Sequence, residues 1–152
     1  MWQVFWNAIP TRDNIRKKKW PGNPTCSFCD QVETVDHLFF TCPVAKVTWN
    51  VLGKAIGTST RPLNLWQAIA WVYAFLPGGE TFYMVGLAAI RWSIWVTRNK
   101  VTFEGHVVRS PFEIVFTVCS FLLYWSGLQG NDDKAELAEG AKKLMKLATA
   151  LA

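Results

Sequence analysis

Apolar residues recur at steps of three and four along most of the chain, and no run alternates at period two, so the pattern predicts a mainly α protein. Residues 1–8 read as the end of a helix closed by Pro10, and Thr11 as the cap of a second helix through about Lys19, with Asp13 in its first turn. Trp20-Pro21-Gly22-Asn23-Pro24 is a cluster of breakers and predicts a loop. Pro43 suits the first position of a third helix that runs to about Leu52 and stops at Gly53. A polar linker over residues 57–62 precedes a fourth helix over 64–76, ended by Pro77-Gly78-Gly79.

The longest helix is expected from Glu80 to Phe103, roughly 35 Å at 1.5 Å per residue. Tyr83, Leu87, Ile90, Ile94 and Val101 follow one face of it and Val85, Ala88, Trp92 and Trp95 the next. Arg91 and Arg98, seven apart, share a narrow polar stripe, at the surface or as internal ion partners, with a second nucleic-acid contact as the lesser alternative. A sixth helix over 111–127 takes Ser110 as cap and Pro111 at its first position. The last, over 132–150, is amphipathic, with Leu137, Ala141, Leu144, Ala148 and Leu151 in phase. Three segments are expected: a knuckle module with flanking helices over 1–56, an aromatic-rich helical core over 57–130 and an amphipathic helix over 131–152.

Composition narrows the picture. With 152 residues there is room for one compact domain or one with a small annex. Nine Trp and ten Phe demand a packed core rather than a solvated chain. The greasy stretches 63–76 and 114–128 are short of the roughly 20 apolar residues a bilayer span needs. The stretch 82–96 carries Arg91, which is costly at membrane depth, so buried helices are expected and membrane association is not. Net charge is +5, but the first 25 residues alone carry +4, through Arg12, Arg16, Lys17, Lys18 and Lys19 against Asp13. The basic pole therefore sits next to the cysteines.

Those cysteines carry the chemistry. Cys26, Cys29, His37 and Cys42 are spaced C-x2-C-x7-H-x4-C. Two thiolates two residues apart grip one metal from a tight turn, and an imidazole and a third thiolate complete the four tetrahedral positions zinc prefers. Soft sulfur donors argue against calcium or magnesium. Five residues separate His37 from Cys42, which does not place them on one face of an α-helix, and Cys42 is expected at the start of the helix fixed by Pro43. A closed shell of four donors implies a structural rather than a catalytic ion. The fold expected is thus a helical domain with a small Cys3His zinc knuckle near the N-terminus. Cys119, alone in an apolar run, reads as core.

The string Ile9-Pro10-Thr11-Arg12-Asp13-Asn14, Trp20-Pro21-Gly22, the four metal ligands, Glu33-Thr34-Val35-Asp36-His37-Leu38-Phe39-Phe40, Pro43, Ala45 and Trp49 resembles the zinc-binding domain at the C-terminal end of plant LINE-type (non-LTR) retrotransposon reverse transcriptases. Ile94-Trp95-x-x-Arg98-Asn99 and Phe103-Glu104-Gly105 resemble the segment that follows it, so the likeness covers residues 1–105. It implies Cys26, Cys29, His37 and Cys42 as zinc ligands. Asp30 departs from the Gly common after the second Cys of such knuckles. The polymerase and endonuclease parts lie outside these 152 residues, so the resemblance implies a stand-alone fragment and carries over no catalysis.

Aromatics beside a knuckle either pack around the metal or stack unpaired bases while lysines hold phosphates. Phe39 and Phe40 are expected in the mini-core, whereas Trp20 and Phe28 suit either role. Arg16, Lys17, Lys18 and Lys19 complement a helix C-terminus or contact phosphate. No phosphate-binding Gly-Lys-Ser/Thr loop, H-E-x-x-H or G-x-S-x-G occurs, and no enzyme is expected. The reading is a non-catalytic Zn2+ protein that binds nucleic acid, RNA favoured, in the nucleus or cytoplasm, with a mitochondrial presequence as the minor alternative. The other reading is a protein-binding adaptor or selfish-gene product that works through a partner or a homo-oligomer, using the amphipathic tail.

Overall fold

A computed structural model of the chain describes residues 8–75 and 79–152, the side chains of residues 79–83 excepted. The helix end expected over 1–8 therefore lies, but for Ala8, outside the described residues, as do the Pro77–Gly78 stop and the Tyr83 side chain. Among the described residues the fold is helical and its one β feature is an isolated Thr25–Val32 bridge. The described residues form, in order, α1 (Arg12–Lys17), α2 (Pro43–Ile56), α3 (Leu65–Phe75), α4 (Gly79–Glu104), α5 (Phe112–Ser126) and α6 (Asn131–Leu151), with a π-helical turn, His37–Thr41, before α2. No described helix is long and apolar enough to cross a membrane.

Local chemistry explains most boundaries. Thr11 Oγ1 accepts from the Asn14 N–H at 3.5 Å and starts α1, which ends early because Lys19 is left-handed at φ 62°. Asn64 Oδ1 caps α3 by accepting from Gln67 N–H at 2.9 Å. α5 starts one residue later than expected: Pro111 is its N-cap rather than its first residue, and Ser110, one position before, accepts from the Phe112 N–H through Oγ at 3.3 Å. Gly53 does not stop α2. It is buried inside the helix because the returning chain passes close by: a Cβ there would sit 2.9 Å from the Thr58 carbonyl oxygen. The stop is Gly57, at φ 84°, whose N–H bonds back to the last turn.

The core is one continuous cluster that runs from Ile9 and Val35 through Trp49, Trp71 and Ile94 to Ala148. α4 packs on α3 and α5, α5 on α6, and α2 on the π turn, α5 and α6. The apolar face of the tail is consequently inside the molecule: Leu137, Ala141, Leu144 and Ala148 are buried. An aromatic ladder keys the N-terminal segment to this body. Trp49 stacks on Phe40 at 5.7 Å and meets Trp71 edge-on at 5.8 Å, while its Nε1 donates to the Phe39 carbonyl at 2.8 Å. Phe39 and Phe40 are thus core residues, as their sequence context predicts.

Candidate metal centre

The knuckle is a short hairpin. Cys26 N–H donates to the Gln31 carbonyl at 2.7 Å and Glu33 N–H to the Pro24 carbonyl at 2.8 Å, which leaves Ser27 to Asp30 as the tip. At that tip the Phe28 N–H points at the Cys26 sulfur, 3.4 Å away. The helical segment that supplies the other two donors begins at Thr34, whose Oγ1 accepts from the His37 N–H at 3.0 Å.

A spacing of five is off-face in an α-helix, yet the chain brings His37 and Cys42 together by widening one turn. Residues 37–41 are π-helical, and the Cys42 N–H donates to the His37 carbonyl at 2.7 Å, an i to i+5 bond that aligns the two positions. Pro43 then starts α2 with Cys42 as its N-cap residue, as expected, and the adjacent Val44 N–H favours the Cys42 thiolate.

The donor atoms of Cys26, Cys29, His37 and Cys42 all lie within 4.8 Å of one another. A tetrahedral zinc shell requires sulfurs about 3.8 Å apart, from Zn–S bonds of about 2.3 Å. His37 turns Nε2 inward, 3.2 Å from the Cys29 sulfur, and Nδ1 outward to the Thr41 hydroxyl at 3.5 Å, the outer-shell contact that fixes a ligating imidazole. Protonation supports the fit. The Cys26 thiol is drawn down to about 5 by the hydrogen bond from Cys42, while that same bond, burial and the neighbouring charge push the Cys42 thiol far up. Two buried sulfurs in contact cannot both ionise unaided; a divalent cation between them removes the conflict.

Behind the metal ligands lies an ion pair that spacing alone does not reveal. Glu33 is fully buried, and its carboxylate accepts from Arg98 Nε at 3.1 Å and from Arg98 Nη2 at 2.6 Å. The same carboxylate accepts from the Arg12 N–H at 3.0 Å and from the Ser27 N–H and hydroxyl at 3.3 Å each. Ser27, between the paired cysteines, also touches the Thr102 hydroxyl at 2.7 Å. One turn pair earlier on α4, the Arg91 guanidinium lies over the Phe39 ring at 4.7 Å, and burial lowers it to about 10. The arginine stripe of α4 therefore faces inward: Arg98 is an internal ion partner, as one reading had it, while Arg91 is buried against an aromatic ring.

The whole basic run lies at the surface. Lys17 Nζ sits 2.7 Å and Arg16 3.6 Å from the buried Asp13 carboxylate, while Lys18 and Lys19 are exposed beside Trp20, itself 69% exposed. Phe28 is half-buried and packs against the core. His106 meets Glu113 at 3.1 Å.

No curated protein and no solved structure matches the chain. The cofactor is zinc: residues 1–49, which hold all four donors, match the family described as zinc-binding in reverse transcriptase.

Proposed function

We propose that the chain is a non-catalytic, zinc-ordered nucleic-acid-binding unit of retrotransposon origin, acting inside the cell and preferring RNA. The observation that carries it is the joint exposure of Lys18, Lys19 and Trp20 beside the knuckle in sequence. Cations next to an exposed indole suit a single strand, which offers phosphates and unstacked bases together. The match to a region of reverse transcriptases, enzymes that work on nucleic acid, supports the same reading. A closed set of four donors leaves zinc no open position for chemistry and supports a binding role. Asp13 pairs with the exposed Lys17 and Arg16 and offsets part of their charge, so Lys18 and Lys19 carry the uncompensated part of the run.

The test is binding of labelled single-stranded RNA and DNA to zinc-loaded protein across a salt series. Affinity should fall steeply with salt, and Lys18→Glu with Lys19→Glu should lower both affinity and the slope by the share of two phosphate contacts, about 0.7 per contact. Binding that survives the double substitution unchanged rejects the proposal. Tyr124 and Leu128, four apart and exposed at the end of α5, favour a second reading as a protein-binding or self-associating product; nuclease-resistant capture with no nucleic-acid shift at low salt would select it.

A further inference from the structure

We infer that the outward face of α4 beside the zinc module, formed by Trp92, Trp95 and Phe103, is a base-stacking surface for single-stranded nucleic acid. Steps of three, four and four from Trp92 through Trp95 and Asn99 to Phe103 place these residues on one face, spread over about 16 Å of helix. Trp95 is half-buried and packs against the core, while the rings on either side of it stand well out, Trp92 at 50% and Phe103 at 76% exposed.

Two of the three rings lie beside a fixed cation. The Arg98 guanidinium lies 5.1 Å from the Trp95 ring and 5.9 Å from that of Phe103. Glu33 grips it from the buried side, so it cannot swing out to solvent. An immobile guanidinium behind a ring holds the platform in place, which lowers the ordering cost of stacking a base on its other face. The surface is also tied to the zinc region: Thr102, next to Phe103, touches Ser27, and the N-terminus of α1 meets the same Glu33 carboxylate. The basic end of α1 is only about 9 Å of helix away from that junction. Rings, knuckle and lysines thus share one hub.

Chemistry selects the occupant. A face that docks a protein helix is continuously apolar, whereas here Asn99 interrupts the rings and Lys100 flanks them, an arrangement suited to bases joined by a charged backbone. This inference rests on the nucleic-acid reading above and extends its contact surface from the knuckle to α4.

The experiment measures anisotropy of a labelled single-stranded RNA of about 12 nucleotides with zinc-loaded wild type, Phe103→Ala, Trp92→Ala and Phe103→Trp. Each alanine should weaken binding about 5- to 150-fold without altering the salt slope, and Phe103→Trp should retain affinity. Photocrosslinking of thiouridine-bearing RNA to the wild-type protein, mapped by mass spectrometry, should mark residues 92–103 and needs no variant to fold. If RNA binds with a normal salt slope but both alanine variants stay within twofold and crosslinks avoid this segment, the stacking surface is wrong while the binding function stands. Absence of any wild-type binding at low salt removes both.

Discussion

Replacing Glu33 by Gln tests the central connection of the fold. The amide preserves shape but leaves the buried Arg98 guanidinium without a countercharge, and it weakens the bonds from Ser27 and the Arg12 N–H. Breaking a buried pair from one side costs about 3–5 kcal/mol, because the surviving charge stays desolvated. A domain of this size loses about 2–4 °C per kcal/mol, so Tm should fall by roughly 6–20 °C. Zinc affinity should drop as well, about 10- to 100-fold, since the carboxylate orients the backbone between two ligands as an outer-shell partner does. The assay is urea and thermal unfolding at saturating zinc, with zinc affinity from competition against a chelator. Arg98→Met and the double variant complete a cycle. The double change removes both charges, so its cost should be well below the sum of the single ones. A Glu33→Gln loss under about 1 kcal/mol, or strict additivity in the cycle, would refute the assignment of Glu33 and Arg98 as the tie between knuckle and helical body.

Chelation, or Cys29→Ser, should cost order well beyond the knuckle, because sites of this type contribute about 10–16 kcal/mol and Trp49 and Arg98 hang on the same segment. Near-UV dichroism and melting should both change; an unaltered melt with chelator would count against a structural ion. Gly53→Ala and Gly140→Ala should move stability in opposite directions. The first drives a Cβ to 2.9 Å from a backbone oxygen and should cost about 1–3 kcal/mol, while the second meets nothing within 4 Å and should gain about 1 kcal/mol. A shared sign in urea titrations would defeat that account. Burial pushes the Cys119 thiol up from 9.0 to about 11. The unfolded thiol ionises first, so stability should decline as pH rises from about 9 to 11 and level off above it. Cys119→Ala should flatten that slope, and alkylation at pH 8 should leave Cys119 untouched in the folded protein.

The candidate zinc donors were legible because their chemistry is local. Three thiols and an imidazole within seventeen residues point to a zinc site before any fold is known, and Pro43 announces where the last of them sits. Helix positions were legible for a similar reason: caps, prolines and the three-four period act within a turn or two. The π turn was less so. Its only trace is the spacing of five between His37 and Cys42, which makes sense solely if the turn widens to satisfy the metal.

Gly53 shows where a local rule fails, since its lack of a side chain serves the strand of chain folded back against it rather than a helix end. The sequence by itself thus determined a mainly helical chain, its zinc donors and a basic pole beside them, all through interactions reaching over few residues. Tertiary structure alone decided that the arginines of α4 turn inward, one onto Phe39 and one onto Glu33, 65 residues away. Periodicity says which residues share a face, but the partner of a buried charge is chosen by packing, because only the assembled core sets which groups lose their water together.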